Sequence, residues 1–426
     1  MGRSVSSSPV TFAARLLRVA AALGLALLVV LPGAAADAKE KKKKEKKKQY
    51  TVDEAMHKKL TGAMEHLQAE RYDETRKVLS SLEARANRLN PYERALVFQI
   101  LGFVESSQEH YEKALDYFEK CLAEDSLPEG AQLSTRFNVA QLYLATEKYA
   151  KAVRSLELWF EDAEAPSSVA YYLLAVAHYQ MGNIDKAVKP AKQAVRKAKT
   201  PKEPWLQLLA GLYFEKQAYP QALGPLEQLV VLYPKKTYWT QLSSLYAQLG
   251  REEKSLATLQ LAYEQGMLDT DRELRQLAQH YLHHGLPYRA ALLMEKALSE
   301  ENVESDADAW EMLANAWLLA QEMERALEPL AKGAELAETG DVYVRLGQVH
   351  LEREEWAEAS SALAKAIEKG DLDDPGGVNL LLGISYYHQK QLDRARKHFA
   401  AARSSESSRD SASSWLDLME QESRSG

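Results

Sequence analysis

Three columns of small residues constrain this chain more than any other feature of its sequence. The first is Ala63, Gly102, Ala140, Ala175, Ala210, Ser243, Ala278, Ala314, Gly347 and Gly383. Twelve residues after each comes the second: Thr75, Ala114, Ala152, Ala187, Ala222, Ser255, Ala290, Ala326, Ala359 and Ala395. A looser third follows seven residues later: Leu82, Cys121, Trp159, Ala194, Leu229, Ala262, Ala297, Gly333, Ala366 and Ala402. Successive members of the second column lie 39, 38, 35, 35, 33, 35, 36, 33 and 36 residues apart. A fixed period of this size is the signature of a stacked-repeat architecture.

Apolar residues recur at helical spacing on both sides of short polar turns such as "EKQAY" (215–219) and "HHGLPY" (283–288), so each period reads as two antiparallel helices. Small side chains in the first two columns let paired helices approach closely, where a bulky one would overpack the contact by about 1–3 kcal/mol. Aromatics three residues after the first column (Tyr143, Tyr213, Tyr246, Tyr281, Trp317, Tyr386) fill the gap between neighbouring hairpins. One hairpin cannot bury both of its faces, so stability has to come from stacking on the next. Pro190, Pro225 and Pro329 each sit three residues after a second-column alanine, inside a second helix, and predict an outward bend there.

The columns resemble the tetratricopeptide repeat (TPR). That resemblance spans residues 56 to about 402 as ten units, with Gly62 and Thr75 making the first a weak match. It implies an all-α fold, an α-solenoid of about ten TPR helical hairpins over residues 55–402. A Ser-rich linker and a short capping helix around "WLDLMEQ" are expected in 403–426.

The first fifty residues decide where such a chain works. Arg3, Arg15 and Arg18 precede an apolar run from Val19 to Leu31, thirteen residues long, then Pro32, Gly33 and a small-residue segment. That length suits a signal-peptide core, because a spanning helix needs about 20 residues. Residues 1–38 are therefore expected to be a signal peptide, cleaved after Ala36 or Ala38, and 39–54 a Lys-rich disordered linker. The alternative is an inner-membrane anchor, since the eight lysines of the tract outnumber the three arginines before the apolar run. Weak contact of the tract with an anionic membrane surface is a further possibility.

Charge by region argues against nucleic acid. The net charge is −7; residues 1–38 carry +2 and residues 39–48 carry +6, which leaves −15 on the remainder. An acidic body with no aromatics in its basic tract neither neutralises phosphates nor stacks bases.

No Gly-rich phosphate loop, nucleophile elbow or paired-cysteine motif occurs, so no catalytic, cofactor or metal residues are assigned. His280, His283 and His284 have spacings that could present two imidazoles to a metal, but they fall at the end of a first helix with no carboxylate placed as a partner. His66, His178 and His350 occupy the aromatic column and are expected to pack between hairpins. Cys121, the one cysteine, reads as a buried small hydrophobe. Binding in a solenoid of hairpins is expected on the concave face lined by first helices. Projecting the other residues places Phe103, Phe137, Tyr172 and Val176 on that face early in the chain. Later hairpins place Gln241, Arg275, Gln279, Asn315, Arg345 and Gln348 there, a set suited to holding the backbone of an extended peptide. Some TPR proteins clamp a C-terminal carboxylate with Lys, Asn and Arg on three consecutive first helices. Arg275, Gln279 and Arg345 partly echo that pattern, although Met312 and Asp341 stand where Asn and Lys belong.

A second resemblance rests on longer stretches: 90–143, opening "NPYERALVFQILGF", 232–268, opening "LYPKKTYWTQLSSLYAQLG", and "LPYRAALLMEKAL" at 286–298. These are similar to a bacterial family of exported repeat proteins linked to TonB systems. The resemblance implies a non-enzymatic periplasmic scaffold whose partners are other proteins or peptides, with TonB, ExbB or ExbD components among them. The other reading is a membrane-anchored assembly factor for envelope biogenesis facing the cytoplasm.

Overall fold

Small residues set the distance between helices throughout the computed structural model, which describes residues 51–425. The expected signal peptide and most of the Lys-rich linker lie outside the described residues. Among the described residues there are twenty-one α-helices, one short 3₁₀ turn and no strand. Twenty of the helices pair into ten antiparallel hairpins, as the sequence period requires.

The hairpins fall into two compact units. The first holds hairpins 1 to 5, at 54–83, 91–123, 129–162, 168–197 and 203–232. The second holds hairpins 6 to 10, at 236–264, 271–299, 307–336, 341–369 and 375–402, followed by the helix Arg409–Ser425. Within each unit the helices of a hairpin pack on each other, and first helices pack on the second helix of the hairpin before.

Local sequence starts and stops these helices. The Asp53 carboxylate accepts from the Met56 N–H at 2.7 Å, and Asn90 and Glu93 form a reciprocal capping box ahead of Pro91. At the other end of every first helix the chain turns through the same motif. The residue seven after the first column has positive φ in all ten hairpins. The N–H that follows it donates to the carbonyl of the aromatic-column residue five positions back, for example His110 to Glu105 at 2.8 Å and Lys148 to Tyr143 at 2.8 Å. This is a Schellman closure, which favours glycine at the left-handed position. Only Gly182, Gly250 and Gly285 supply one; the other seven are Glu70, Glu109, Glu147, Gln217, Gln321, Glu354 and Lys390.

All twenty residues of the first two columns are buried. Hairpin 6 shows their apposition directly, because its two column residues are both serine and their hydroxyls lie 2.9 Å apart. Where the first column is glycine, the neighbour four residues beyond the second column is Phe118, Leu363 or Phe399. A Cβ at Gly102, Gly347 or Gly383 would lie 2.8, 2.6 or 2.6 Å from these side chains. Alanine at the same place faces Leu79, Leu156, Leu226 and Leu330 in hairpins 1, 3, 5 and 8. In hairpins 2 and 10 glycine meets phenylalanine where alanine meets leucine in hairpins 1, 3, 5 and 8, so size is exchanged across the contact there; hairpin 9, with Gly347 against Leu363, and hairpin 4, with Ala175 and Ala191, depart from that exchange.

The aromatic column is buried at Tyr143, Tyr246, Tyr281 and Trp317 and half-buried at Tyr213 and Tyr386. His178 is buried, and its burial pulls the imidazole pKa below the ordinary value. His66 and His350 are half-buried. In hairpin 2 the same column holds Glu105, whose side chain is 1% exposed and meets Arg76 at 2.5 Å and His110 at 2.9 Å. Cys121 is buried, and burial pushes its thiol up to about 12.

Three places depart from a plain repeat. Pro190, Pro225 and Pro329 are each the seventh residue of a fourteen-residue helix and are buried, and each helix continues past its proline. The C-terminal helix is seventeen residues long and takes in most of the stretch read as a linker. It is held by Ala412 and Met419, both buried, and by Trp415, which stacks on Phe399 at 5.5 Å. Third-column Trp159 is only half-buried and packs against Phe137 and Phe160 instead.

Candidate polar binding row on the first helices

The six polar residues picked out by register all belong to the second unit, on the first helices of hairpins 6 to 9. Their positions relative to the first column fix where they point. A residue one after a buried column member is rotated by about 100° from it, enough to leave the helix contact. Gln279, Asn315 and Gln348 hold that place in hairpins 7, 8 and 9, and all three are exposed, as is Ser244 in hairpin 6. They form one row of primary amides, one per hairpin, each offering a donor and an acceptor. Gln241, two before its column residue, is also exposed.

The two arginines are not placed in the same way. Arg275 donates from Nε to Asp271 at 2.8 Å and from Nη2 to its other oxygen at 3.2 Å. It also makes a bidentate pair with Asp306 at 3.1 and 2.9 Å and reaches the Glu304 carbonyl at 3.1 Å. Asp306 in turn caps the first helix of hairpin 8 through the Ala309 N–H. Arg275 therefore clamps hairpin 7 to hairpin 8, and its hydrogen bonds hold the Asp271 carboxyl below the usual carboxylate range. Arg345 donates to the Asn315 carbonyl at 2.5 Å and lies 3.7 Å from Glu311, whose pKa burial raises. This bond orients Asn315 and links hairpins 8 and 9. Both guanidiniums already have anionic or carbonyl partners within the chain, so the echo of a carboxylate clamp is carried by residues engaged elsewhere.

The early hairpins differ more sharply from their projection. Phe103 and Tyr172, expected on the binding face, are 2% and 4% exposed. Phe103 packs edge-on against Phe118 at 5.1 Å, and Tyr172 stacks on Trp205 at 5.7 Å. Phe137 and Val176 are half-buried in the core of the first unit. At the register of the amide row this unit has Met64, Phe103, Gln141, Val176 and Gly211, of which the first two are buried. The exposed polar row is a property of the second unit alone.

Among the described residues no group of three or more His, Cys, Asp or Glu is arranged to hold a metal ion. The rings of His283 and His284 meet edge to face at 5.5 Å. No described helix is long and apolar enough to cross a membrane.

Family models described as tetratricopeptide repeat match residues 137–204 and 344–411, and a second such model matches 237–265. These segments coincide with hairpins 3–4, 9–10 and 6. Solved structures with similarity to the chain include the TPR protein YrrB, 17% identical over 40% of this chain and 85% of that one, with a TM-score of 0.34. A MamA structure is 17% identical over 40% and 91% of the two chains, with a TM-score of 0.35. A tetratricopeptide repeat protein from Parabacteroides merdae is 18% identical over 59% and 98%, with a TM-score of 0.30. No curated protein matches the chain.

Proposed function

For this chain of tetratricopeptide repeats, we propose the role of a non-enzymatic protein-interaction scaffold that holds an extended segment of a partner along the first helices of hairpins 6 to 9. Tetratricopeptide repeats are in general protein-binding modules, which sets the class. The observation that carries the particular reading is the row of Gln279, Asn315 and Gln348, exposed at one register on three consecutive first helices. Amides repeated at the spacing of stacked hairpins can alternate donor and acceptor along a peptide backbone, giving affinity without demanding one side-chain sequence.

The compartment we propose is the periplasm, after cleavage of the N-terminal segment, with association to a TonB system. Its support is the thirteen-residue apolar run, the small residues that follow, and the resemblance of 90–143, 232–268 and 286–298 to exported TonB-linked proteins. The lysine-rich tract favours a second reading, an anchored protein facing the cytoplasm. N-terminal sequencing of the chain from fractionated cells separates them: a mature protein starting near Asp37 or Lys39 supports export.

The binding role is tested by affinity capture from crosslinked envelope fractions with the wild-type chain and with a triple variant, Gln279→Ala, Asn315→Ala and Gln348→Ala. Partners recovered by the wild type and lost from the folded variant support the row. Equal recovery by both places binding elsewhere.

A further inference from the structure

One place in the fold recurs from hairpin to hairpin with the same chemistry. The aromatic-column residue and the residue just before the second column lie eight apart and face each other near the turn. In four hairpins a cation stands over the ring: Tyr143 with Lys151 at 5.4 Å, Tyr246 with Lys254 at 5.7 Å, Trp317 with Arg325 at 3.5 Å, and Tyr386 with Arg394 at 5.5 Å. Such pairs gain from the quadrupole of the ring. Hairpin 8 has a third member, since Arg325 also donates to the Glu295 carboxylate of hairpin 7 at 2.8 Å.

Hairpin 9 replaces all three. His350 stands for Trp317, Glu358 for Arg325 and Ala331 for Glu295. The ring is smaller, the cation has become a carboxylate, and the carboxylate of the preceding hairpin has become a methyl group. A cavity of about 390 Å³ lies there, lined by Tyr343, Leu346, His350, Glu358, Ser361 and Lys365 among others. Glu358 and Ser361 are exposed, so the cavity is reached from solvent.

We propose that this cavity receives an arginine side chain presented by a partner protein. The incoming guanidinium restores the arrangement of hairpin 8, ring and cation and carboxylate, with the cation now supplied from outside. Glu358 offers two acceptor oxygens in the geometry that a planar guanidinium matches. Ser361 adds a hydroxyl. His350 is 2.7 Å from Glu355 through Nδ1, which leaves Nε2 as the remaining ring nitrogen. Lys365, the one cation lining the cavity, stands over Tyr343 at 5.6 Å, seven residues and about 10 Å along the helix from Glu358. The cavity shares no residue with the amide row, so either site can fail without the other.

The full 426-residue chain, labelled with ¹³C-histidine, is titrated with N-acetyl-arginine amide and with N-acetyl-citrulline amide, its uncharged isostere. The His350 resonance is identified by its loss in His350→Gln. The proposal expects that resonance to move with the arginine compound and not with citrulline. Glu358→Gln should weaken the response about three- to fivefold, the effect of one exposed ion pair. Glu358→Arg, which rebuilds the self-filled state of hairpin 8, should abolish it while leaving the unfolding midpoint unchanged or raised. Equal shifts with arginine and citrulline overturn the proposal, as does a response that survives Glu358→Arg. A response to sodium acetate that is indifferent to residue 358, with none to arginine, shows an anion site at Lys365 and equally overturns it.

Discussion

Replacing Gly383 with alanine should destabilise the second unit, and replacing Phe399 with leucine at the same time should repair much of the loss. The new Cβ would lie 2.6 Å from Cδ1 and 2.7 Å from Cε1 of Phe399, inside van der Waals contact. Overpacking of this kind costs about 1–3 kcal/mol. Alanine is favoured over glycine inside a helix by about 0.5–1 kcal/mol, which offsets part of that. The single variant should therefore lose about 0.5–2 kcal/mol. Phe399→Leu alone leaves a void and should cost about 1–2 kcal/mol, less than a full truncation of phenylalanine. The double variant recreates the Ala/Leu pairing of hairpins 1, 3, 5 and 8. Its loss should fall short of the sum of the singles by about 1 kcal/mol or more, the coupling expected of residues in contact. Urea titrations followed by circular dichroism give the four midpoints of the cycle. Strict additivity, or a Gly383→Ala variant as stable as the wild type, would refute the exchange of size between the columns.

Other predictions follow from the turns, the clamp and the cysteine. Gln217→Gly, Gln321→Gly and Lys390→Gly should each stabilise the chain by about 0.5–1 kcal/mol, because an L side chain is strained at positive φ; Gly285→Ala should do the reverse, and thermal melts read both. Arg275→Ala leaves Asp271 and Asp306 without their shared cation and should speed hydrogen exchange of the amides at Glu304 and Ala309, with a loss of about 1–3 kcal/mol. Three carboxylates have folded-state pKa values below their ordinary ones: Asp271 through hydrogen bonds from Arg275, Glu273 through Lys236 and Thr270 against the opposing effect of burial, and Glu355, held at about 2, through Arg353 and then His350. Their contribution is complete above the unfolded values and is lost as pH falls through the folded ones; denaturant midpoints should therefore decline below about pH 4, less steeply in Arg275→Ala. Cys121 should resist 5,5′-dithiobis(2-nitrobenzoic acid) in the native chain at pH 8 and react at once in urea, since burial keeps the thiol protonated.

The columns were legible because each is an interhelical contact repeated ten times, and a spacing of twelve survives changes in loop length. The left-handed turn position was not, although it recurs just as strictly. Seven of its ten occupants are Glu, Gln or Lys, and only their carbonyl-closing hydrogen bonds reveal the conformation. Gln279, Asn315 and Gln348 are exposed, but register could not tell that Phe103 and Tyr172 at comparable positions are covered by Phe118 and Trp205. Burial at those positions depends on the size of residues fifteen to thirty-three places away. The same distance hid the role of Arg275, whose partner Asp306 is thirty-one residues on and belongs to the next hairpin. At the C-terminus, serines with weak helix preference read as a linker, and the packing of Ala412, Trp415 and Met419 overrides that preference.

The claim that the first helices of the second unit carry the binding function is tested most directly by photocrosslinking in living cells. A benzophenone amino acid is placed in turn at Gln279 and Gln348, and at Glu328 and Glu368, which are exposed on second helices. The account predicts covalent adducts with the same partner protein from 279 and 348 and none from 328 and 368. Adducts confined to the second-helix positions, or no adduct from any of the four, would contradict it.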